Sequence, residues 1–443
     1  MEGGRVFRGP VGASTLHAPP CGAGLALPGA SSEPTGVGTR TNARGAPRGP
    51  LPALTAQGAC APPAARPRGD CGAAGSAPLQ TWHALPIKAL EWLLAVPLVL
   101  PFFLAAGAVA APLLDVRTLV FVGDCMPGGV YEDNLEKGLS PFRNIGAFLK
   151  TADLAVANLE GPLSSRGTRL QGKKFTFRVP PSRVSLFKEA GIGVLALANN
   201  HILDFGPTAL ADTLYALDSG GLLHCGAGLD LAAARRPAVA EVKGVRIAFL
   251  AYSRTFPSKF WAGKRRPGTA FADTAWVRAD VLEAKQSADA VVVLFHWGQE
   301  KSHELRDYQR VLAKIAAEAG AVLVVGSHPH IPQGVEKIGG CVVAYSIGDG
   351  VFGGAPKRSE GSLVLRASFG REGLREAEFF PLETSNVATD FAPRLQMGAA
   401  ARKTLDLVKA LSADLRTTLA PVVSPEGYPC LRLDMTVSST PAR

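Results

Sequence analysis

The chain has 443 residues, enough for two or three average domains or for one large domain with appendages. Hydrophobic residues make up 47% of it, so a large core is affordable, and the formal net charge is +10. The basic residues are scattered and form no long Lys/Arg run, so the charge indicates a general surface bias and argues against nucleic acid as a partner.

Residues 1–84 differ in composition from the rest of the chain. They are rich in Ala, Gly and Pro and show no hydrophobic periodicity. Such a segment cannot bury enough apolar surface to offset its chain entropy. We therefore predict a disordered or mis-annotated N-terminal extension, with a start site assigned too far upstream or an Arg-rich transit peptide as the alternatives.

Residues 92–114 form an uncharged hydrophobic run that is long enough to cross a bilayer. Pro97 and Pro101 argue against a buried soluble helix. Lys88 precedes the run, which predicts that the C-terminal part lies outside the cell membrane. Residues 108–110 (Ala-Val-Ala) also fit a signal-peptidase site, so a transmembrane anchor and a cleaved signal both remain open.

A globular domain is predicted from about Asp115, because strand candidates then alternate with helix candidates. This alternation predicts βαβ units and a largely parallel core sheet. The predicted helices cover residues 141–150, Ser182 (as N-cap) to Ala190, Pro207–Leu217, Leu305–Ala319 and 398–419. The predicted strands include Val245–Tyr252, a hairpin over 361–381 and a last strand from Tyr428 to Val437.

Five short apolar runs each end in polar side chains. Unpaired polar groups are costly in a core, whereas the carboxyl ends of strands in α/β sheets form ligand sites. We therefore predict one shared site of N and O ligands, which suits a divalent metal such as zinc, manganese or iron without choosing among them. The residues at these ends are Asp124; Asn158 and Glu160; Asn199, Asn200, His201 and Asp204; His296; and Ser327, His328 and His330.

The pair His201 and Asp204 suggests a different role. An Asp three residues after a His can hold the imidazole in one tautomer, as a general acid requires. The alternative is that Asp204 caps the helix that begins at Pro207. Two adjacent metals would polarise a phosphoryl oxygen and generate hydroxide, while His201 protonates the leaving group.

Seven cysteines occur without any C-x-x-C pair, which argues against a structural zinc cluster. Cys125 adjoins Asp124 and is a ligand candidate, although a small buried residue at a strand end is the favoured interpretation. Cys225, Cys341 and Cys430 complete the set within the domain, and the sequence does not say which of the four would pair in an exported protein.

Six motifs follow one another between residues 117 and 355: Gly123-Asp124-Cys125-Met126, Asn158-Leu159-Glu160, Asn199-Asn200-His201 with Asp204-Phe205-Gly206, His296-Trp297-Gly298, His328-Pro329-His330 and Tyr345-Ser346-Ile347-Gly348-Asp349. As an ordered set they resemble the CapA family of bacterial capsule synthesis proteins linked to poly-γ-glutamate. The resemblance implies an α/β fold of the calcineurin-like metallophosphatase type, a β-sandwich flanked by helices with the site at one edge. It also implies attachment to the membrane with the domain outside.

Carried over by motif, the resemblance implies one or two divalent metal ions held by Asp124, Glu160, Asn200, His296, His328 and His330, with His201 as the acid. Two motifs depart from the family. Pro127 follows the first motif where an Arg is usual nearby, and Asp349 stands where Asn is usual. Met126 occupies the position of a His in the phosphatase relatives, so one metal is expected to bind weakly or not at all.

The resulting prediction is an extracytoplasmic, membrane-associated protein of capsule or exopolymer (poly-γ-glutamate) biosynthesis. Its expected partners are the membrane, a polyanionic polymer or phosphoester substrate and other capsule synthesis proteins. A divalent-metal-dependent phosphoesterase unrelated to capsule and a non-catalytic polymer-binding module remain as alternatives. The predicted divisions are 1–84, the hydrophobic segment 88–114, the metallophosphatase domain 115–391 and a C-terminal extension 392–443 that packs on it.

Overall fold

The computed structural model describes residues 116–353, 361–370 and 373–435. The predicted extension 1–84 and the hydrophobic segment 88–114 lie outside these residues. Within the described residues, no helix combines the length and the apolar character needed to span a membrane.

Two large β-sheets and a two-stranded pair account for the strands of the described residues. The strands are β1 (Arg117–Met126), β2 (Leu154–Leu159), β3 (Ile192–Ala196), β4 (Leu223–Cys225), β5 (Ala227–Gly228), β6 (Ala238–Val242), β7 (Val245–Ser253), β8 (Gly268–Thr269), β9 (Ala290–His296), β10 (Leu323–Ser327), β11 (Val335–Ile338), β12 (Cys341–Ala344), β13 (Asp349–Phe352), β14 (Ser362–Gly370), β15 (Gly373–Glu383), β16 (Arg394–Leu395), β17 (Ala420–Val423) and β18 (Pro429–Asp434).

The α-helices of the described residues are mostly short. They are α1 (Glu132–Glu136), α2 (Gly146–Leu149), α3 (Val184–Glu189), α4 (Gly206–Gly220), α5 (Leu231–Arg235), α6 (Thr274–Ala284), α7 (Asp307–Ala319) and α8 (Gly398–Ala413).

The first sheet has parallel strands on one side and antiparallel strands on the other, whereas the second has parallel strands at its centre and one antiparallel strand at each edge. The first runs β17-β18-β15-β14-β1-β2-β3-β4, with β13 beside β1 and β16 beside β15. The second runs β11-β12-β10-β9-β7-β6. In the first sheet, the neighbouring strands β1, β2, β3 and β4 pair in parallel. In the second sheet, β7, β9, β10 and β12 pair in parallel. The prediction of a largely parallel core sheet holds for the second sheet and is wrong for the first, where β14, β15, β17 and β18 add antiparallel strands.

The two sheets pack face to face, with helices on their outer faces. In β1, Leu119 and Phe121 join the apolar cluster between the sheets, whereas Val120 and Val122 join the cluster under α3 and α4. This alternation follows from the two-residue period of a strand. A third cluster packs α6 and α7 on the outer face of the second sheet. The fold is therefore mixed α/β, with two sheets enclosed by helices.

Several helices differ from the predicted ones. The helix expected over 141–150 is reduced to α2, and the Asn144 side chain before it bonds to the Ala392 carbonyl instead. A 3-10 turn occupies Pro181–Arg183, so Ser182 is not the N-cap of α3. The last helix ends at Ala413, ahead of β17.

The apolar face of α7 follows the sequence pattern except at one position. Helical spacing sets Val311 on one side with Leu305, Tyr308, Leu312 and Ile315; these four pack in or against the third apolar cluster, whereas Val311 is 50% exposed. The buried side chains are Gln309, Leu312, Ala313, Ala316 and Ala319. Gln309 is buried because its amide bonds to Gln333 and to the backbone of Arg306, so a polar residue occupies a core position without cost.

Candidate metal centre

The predicted strand ends meet at one edge of the two sheets. Asp124 lies near the end of β1, Glu160 directly follows β2, and His296 ends β9. Asn200 follows β3, and His328 follows β10. Because the parallel strands of each sheet end at the same edge, the polar side chains of both sheets face one another there.

A close approach of backbones brings a further carboxylate to this edge. A Cβ atom on Gly123 would lie 1.8 Å from the carbonyl oxygen of Gly348, so only glycine allows this contact. The Asp124 amide donates to the same carbonyl at 3.1 Å. As a result, β13 pairs with β1 in a register that sets Asp349 opposite Asp124.

Asp124 is fully buried and is held from several sides. Asn158 Nδ2 donates to its Oδ1 at 2.7 Å, and the backbone amide of His328 donates to Oδ2 at 3.1 Å. His330 Nδ1 lies 3.3 Å from Oδ2. Burial raises the pKa of Asp124 to about 6, and the Asp349 carboxylate adds to this rise.

Glu160 is the most exceptional group of the cluster. It is fully buried, and neither carboxylate oxygen has a hydrogen-bond partner among the described residues. Its Oε1 lies 3.8 Å from Nε2 of His201, 3.8 Å from Nε2 of His296 and 3.9 Å from Nε2 of His330. Burial, and after it Asp124, raises the pKa of Glu160 well above its ordinary value. A buried carboxylate without donors, surrounded by imidazole nitrogens, fits a cation.

His296 and His328 are neutral imidazoles. Burial lowers the pKa of His328 to about 3 and that of His296 well below its ordinary value. His296 Nε2 lies 2.8 Å from Asn200 Oδ1, and its Nδ1 lies 2.9 Å from Ser327 Oγ. The buried Nδ1 of His328 has no hydrogen-bond partner within residues 116–353, 361–370 and 373–435. Neutral imidazole is the form that binds a metal, so both residues suit that role.

His330 differs from them in its charge. Although burial opposes it, the carboxylates of Asp349, Glu160 and Asp124 raise the pKa of His330 to about 10. Its Nδ1 lies 2.7 Å from Asp349 Oδ1. His328 and His330 have φ values of +97° and +58°, so the turn after β10 is wound through left-handed backbone at both histidines. Glu300, His328 and His330 form a group of possible metal ligands, whose ligand atoms lie within 4.8 Å of one another.

His201 and Asp204 are in direct contact. His201 Nδ1 lies 2.6 Å from Asp204 Oδ2, and the Phe177 ring stacks on the imidazole with centroids 4.1 Å apart. Lys173 Nζ donates to Asp204 Oδ1 at 2.5 Å and lies 3.0 Å from His201 Nδ1. Burial lowers the pKa of His201, the hydrogen bond to Asp204 opposes this, and the Lys173 charge lowers the pKa further.

Asp204 does not cap α4, which was the alternative. The N-cap position of that helix is Phe205, with no side-chain hydrogen bond. The Asp204 carboxylate instead accepts from Lys173 and from the backbone amide of Phe177. Cys125 likewise belongs to the apolar cluster that includes Met126, and burial raises the pKa of its thiol to about 12. The cysteines Cys125, Cys225, Cys341 and Cys430 are all free and buried.

Three residues near the site were not predicted as members of it. Lys173 comes from the loop between β2 and α3, where no strand end or periodicity draws attention to it. Glu300 follows the His-Trp-Gly motif. Asp349 was noted only as a departure from a motif, although an acidic residue in a buried motif was itself an indication.

A family model and several known proteins are similar in sequence to this chain. The family model described as "Bacterial capsule synthesis protein PGA_cap" matches residues 118–354. The PGA biosynthesis protein CapA of Bacillus subtilis is 33% identical over 290 residues, which cover 63% of this chain and 76% of that protein. The capsule biosynthesis protein CapA of Bacillus anthracis is 30% identical over 274 residues, covering 60% and 67%.

A solved structure of the calcineurin-like phosphoesterase YfkN from Bacillus subtilis overlaps 68% of this chain and 99% of its own, with 13% identity and a TM-score of 0.35. The family is shown by the sequence matches. The matched residues 118–354 include the strand-end motifs and all the residues gathered at the site. The chain belongs to the PGA_cap family of bacterial capsule synthesis proteins.

Proposed function

We propose that this protein acts in the synthesis of a capsule or exopolymer such as poly-γ-glutamate, as a metal-dependent hydrolase of a phosphoester or amide bond. The names of its relatives support the pathway. One observation carries the chemistry: the buried Glu160 carboxylate has no hydrogen-bond donor and faces three imidazoles. A domain of the calcineurin-like metallophosphatase type is part of the proposal.

The residues that would hold one or two divalent ions are Asp124, Glu160, Asn200, His296, His328 and His330, and we add Asp349. They fit such an ion because they combine buried carboxylates with imidazoles, and burial favours the neutral form of two of these, His296 and His328; this ligand set suits zinc, manganese or iron. When bound, the metal supplies Lewis acidity and lowers the pKa of water.

The chain's own residues then orient and protonate. Asp204 accepts the Nδ1–H of His201, which leaves Nε2 directed toward Glu160 and the site. The protonated form of His201 is stabilised by Asp204 and would donate a proton from Nε2 to the leaving group. Lys173 holds the Asp204 carboxylate in place, and it also donates to the Asn200 carbonyl.

Two variants test these roles. His201→Ala should keep its metal content and lower turnover by roughly 10²–10⁴-fold, the usual range for one general acid. His328→Ala should lose metal, because a ligand nitrogen is removed. Metal analysis and turnover of an alkyl phosphate and a γ-glutamyl amide provide the measurements. Equal loss of metal in both variants would make His201 a ligand and not the acid.

A non-catalytic, polymer-binding module is the second candidate, and one observation favours it. Burial lowers the pKa of His201 although the hydrogen bond to Asp204 opposes this, and a lower pKa reduces the imidazolium that a general acid requires. A metal-loaded wild type that turns over neither substrate would support this candidate. Turnover of phosphoesters alone would instead favour a phosphoesterase unrelated to capsule.

We also propose that the domain lies outside the cytoplasmic membrane. The uncharged run of residues 92–114 and the preceding Lys88 support this location. The membrane and other capsule synthesis proteins are then the expected partners.

A further inference from the structure

A cleft of about 540 Å³ opens beside the metal centre. Asn200 and His328 line it, so a ligand in the cleft would contact the proposed metal ligands directly. The rest of its lining comprises four aromatic residues, one arginine, one glutamate, a threonine and a glycine: Phe256, Trp261, Phe271, Tyr308, Arg254, Glu300, Thr255 and Gly298.

Arg254 is fixed in orientation within this wall. It follows β7, and its backbone amide donates to the carbonyl of His296 at 3.0 Å. Its guanidinium donates to the Ala272 carbonyl at 3.0 Å. The guanidinium carbon lies 4.6 Å from the ring centroid of Phe271 and 5.7 Å from that of Tyr308. Backbone and aromatic contacts therefore hold the side chain without neutralising it.

Within the part of the chain that the structure describes, no carboxylate forms an ion pair with Arg254. Glu300 lines the same cleft, but its carboxylate groups with the imidazoles of His328 and His330. A guanidinium carries five N–H donors in a planar fork that matches a carboxylate or phosphate. A half-buried guanidinium with one carbonyl partner retains donors for such a group.

We propose that Arg254 is an anion-binding subsite of this cleft, which takes a carboxylate or phosphate group flanking the bond presented to the metal centre. The inference rests on the proposed function in one respect, that the ligand is part of a polyanion or phosphoester. The aromatic walls limit water around the pair, which strengthens a charge-assisted hydrogen bond. The carboxylate source is a γ-linked glutamyl chain, and the phosphate source is a phosphoester.

Calorimetry on the metal-loaded full chain tests the subsite without any turnover. The probes are γ-linked triglutamate and inorganic phosphate. Arg254→Gln should weaken binding of at least one probe by roughly 10- to 100-fold, the value of a charged hydrogen bond. Arg254→Lys should bind the probe with an affinity between those of the wild type and Arg254→Gln, because lysine keeps the charge but lacks the planar fork of N–H donors. Arg278→Gln, which removes an exposed arginine of α6 with the same change in charge, is the matched control.

The probe that loses affinity identifies the source of the anion. Wild-type affinity in Arg254→Gln, with unchanged metal content, would overturn the subsite, as would an equal loss in Arg278→Gln or no binding of either probe to wild type. A wild type that binds triglutamate through Arg254 and hydrolyses nothing would contradict the proposed hydrolase and leave the subsite intact. If the protein is a hydrolase and Arg254→Gln leaves its KM unchanged, the subsite would be contradicted and the proposed hydrolase would be left intact.

Discussion

His330 links the charge of the site to its proposed ligand. Asp349, Glu160 and Asp124 raise its pKa to about 10, so in the metal-free protein it carries a proton at neutral pH. A metal ligand must give up that proton. In the metal-free protein, the protonated His330 supplies positive charge beside these three carboxylates. A bound divalent ion would supply that positive charge instead.

We expect metal binding at pH 7.5 to release protons, and the affinity to rise with pH until it approaches the His330 pKa of about 10. Calorimetry in two buffers of different ionisation enthalpy measures the number released. Asp349→Asn removes the carboxylate that raises the His330 pKa most, so metal binding to this variant should release fewer protons. A binding enthalpy that is independent of the buffer would contradict this interpretation.

Residues of the site divide by how far their partners lie along the chain. Asp124, Glu160, Asn200 and His296 were predictable because each ends a short apolar run, which is a local pattern. Lys173 was not, because its position depends on a loop that folds over Asp204. The pairing of Asp349 with His330 likewise depends on contacts between distant strands.

At the level of elements, the pairing of β13 with β1 builds one side of the site. Two glycines meet there, and a side chain on Gly123 has no space against the Gly348 carbonyl. The apolar run of β1 was readable from the sequence, but its pairing with β13 was not. The hairpin of β14 and β15 and the last strand β18 were predicted from local patterns, whereas β16, β17 and the pairing of β18 with β15 were not.

Gly123→Ala should move β13 away from β1 and separate Asp349 from Asp124. We expect a loss of about 1–3 kcal/mol in the free energy of unfolding, the usual cost of overpacking, together with weaker metal binding. Gly340→Ala is the control, because a Cβ there meets nothing within 4 Å. Denaturant unfolding and metal titration measure both effects. If Gly123→Ala behaves like Gly340→Ala, the close approach does not position the carboxylates.

For the whole molecule, the location of the domain is the main proposal that the described residues do not address. Alkaline phosphatase fused after residue 120 should be active in a bacterial host, because residues 92–114 would carry it across the membrane. Replacing part of that run with charged residues should abolish the activity. An inactive fusion that accumulates to normal levels would count against export.

The central claim is that the buried carboxylates and imidazoles hold a divalent metal, and metal content tests it most directly. The full chain, reconstituted with manganese, zinc or iron and dialysed, should retain one or two ions. Glu160→Gln should keep its fold, because Gln nearly preserves the shape, and should retain markedly less metal. A folded wild type that holds less than about 0.2 ion per chain, when a structural or catalytic site should be near full occupancy, would contradict the account.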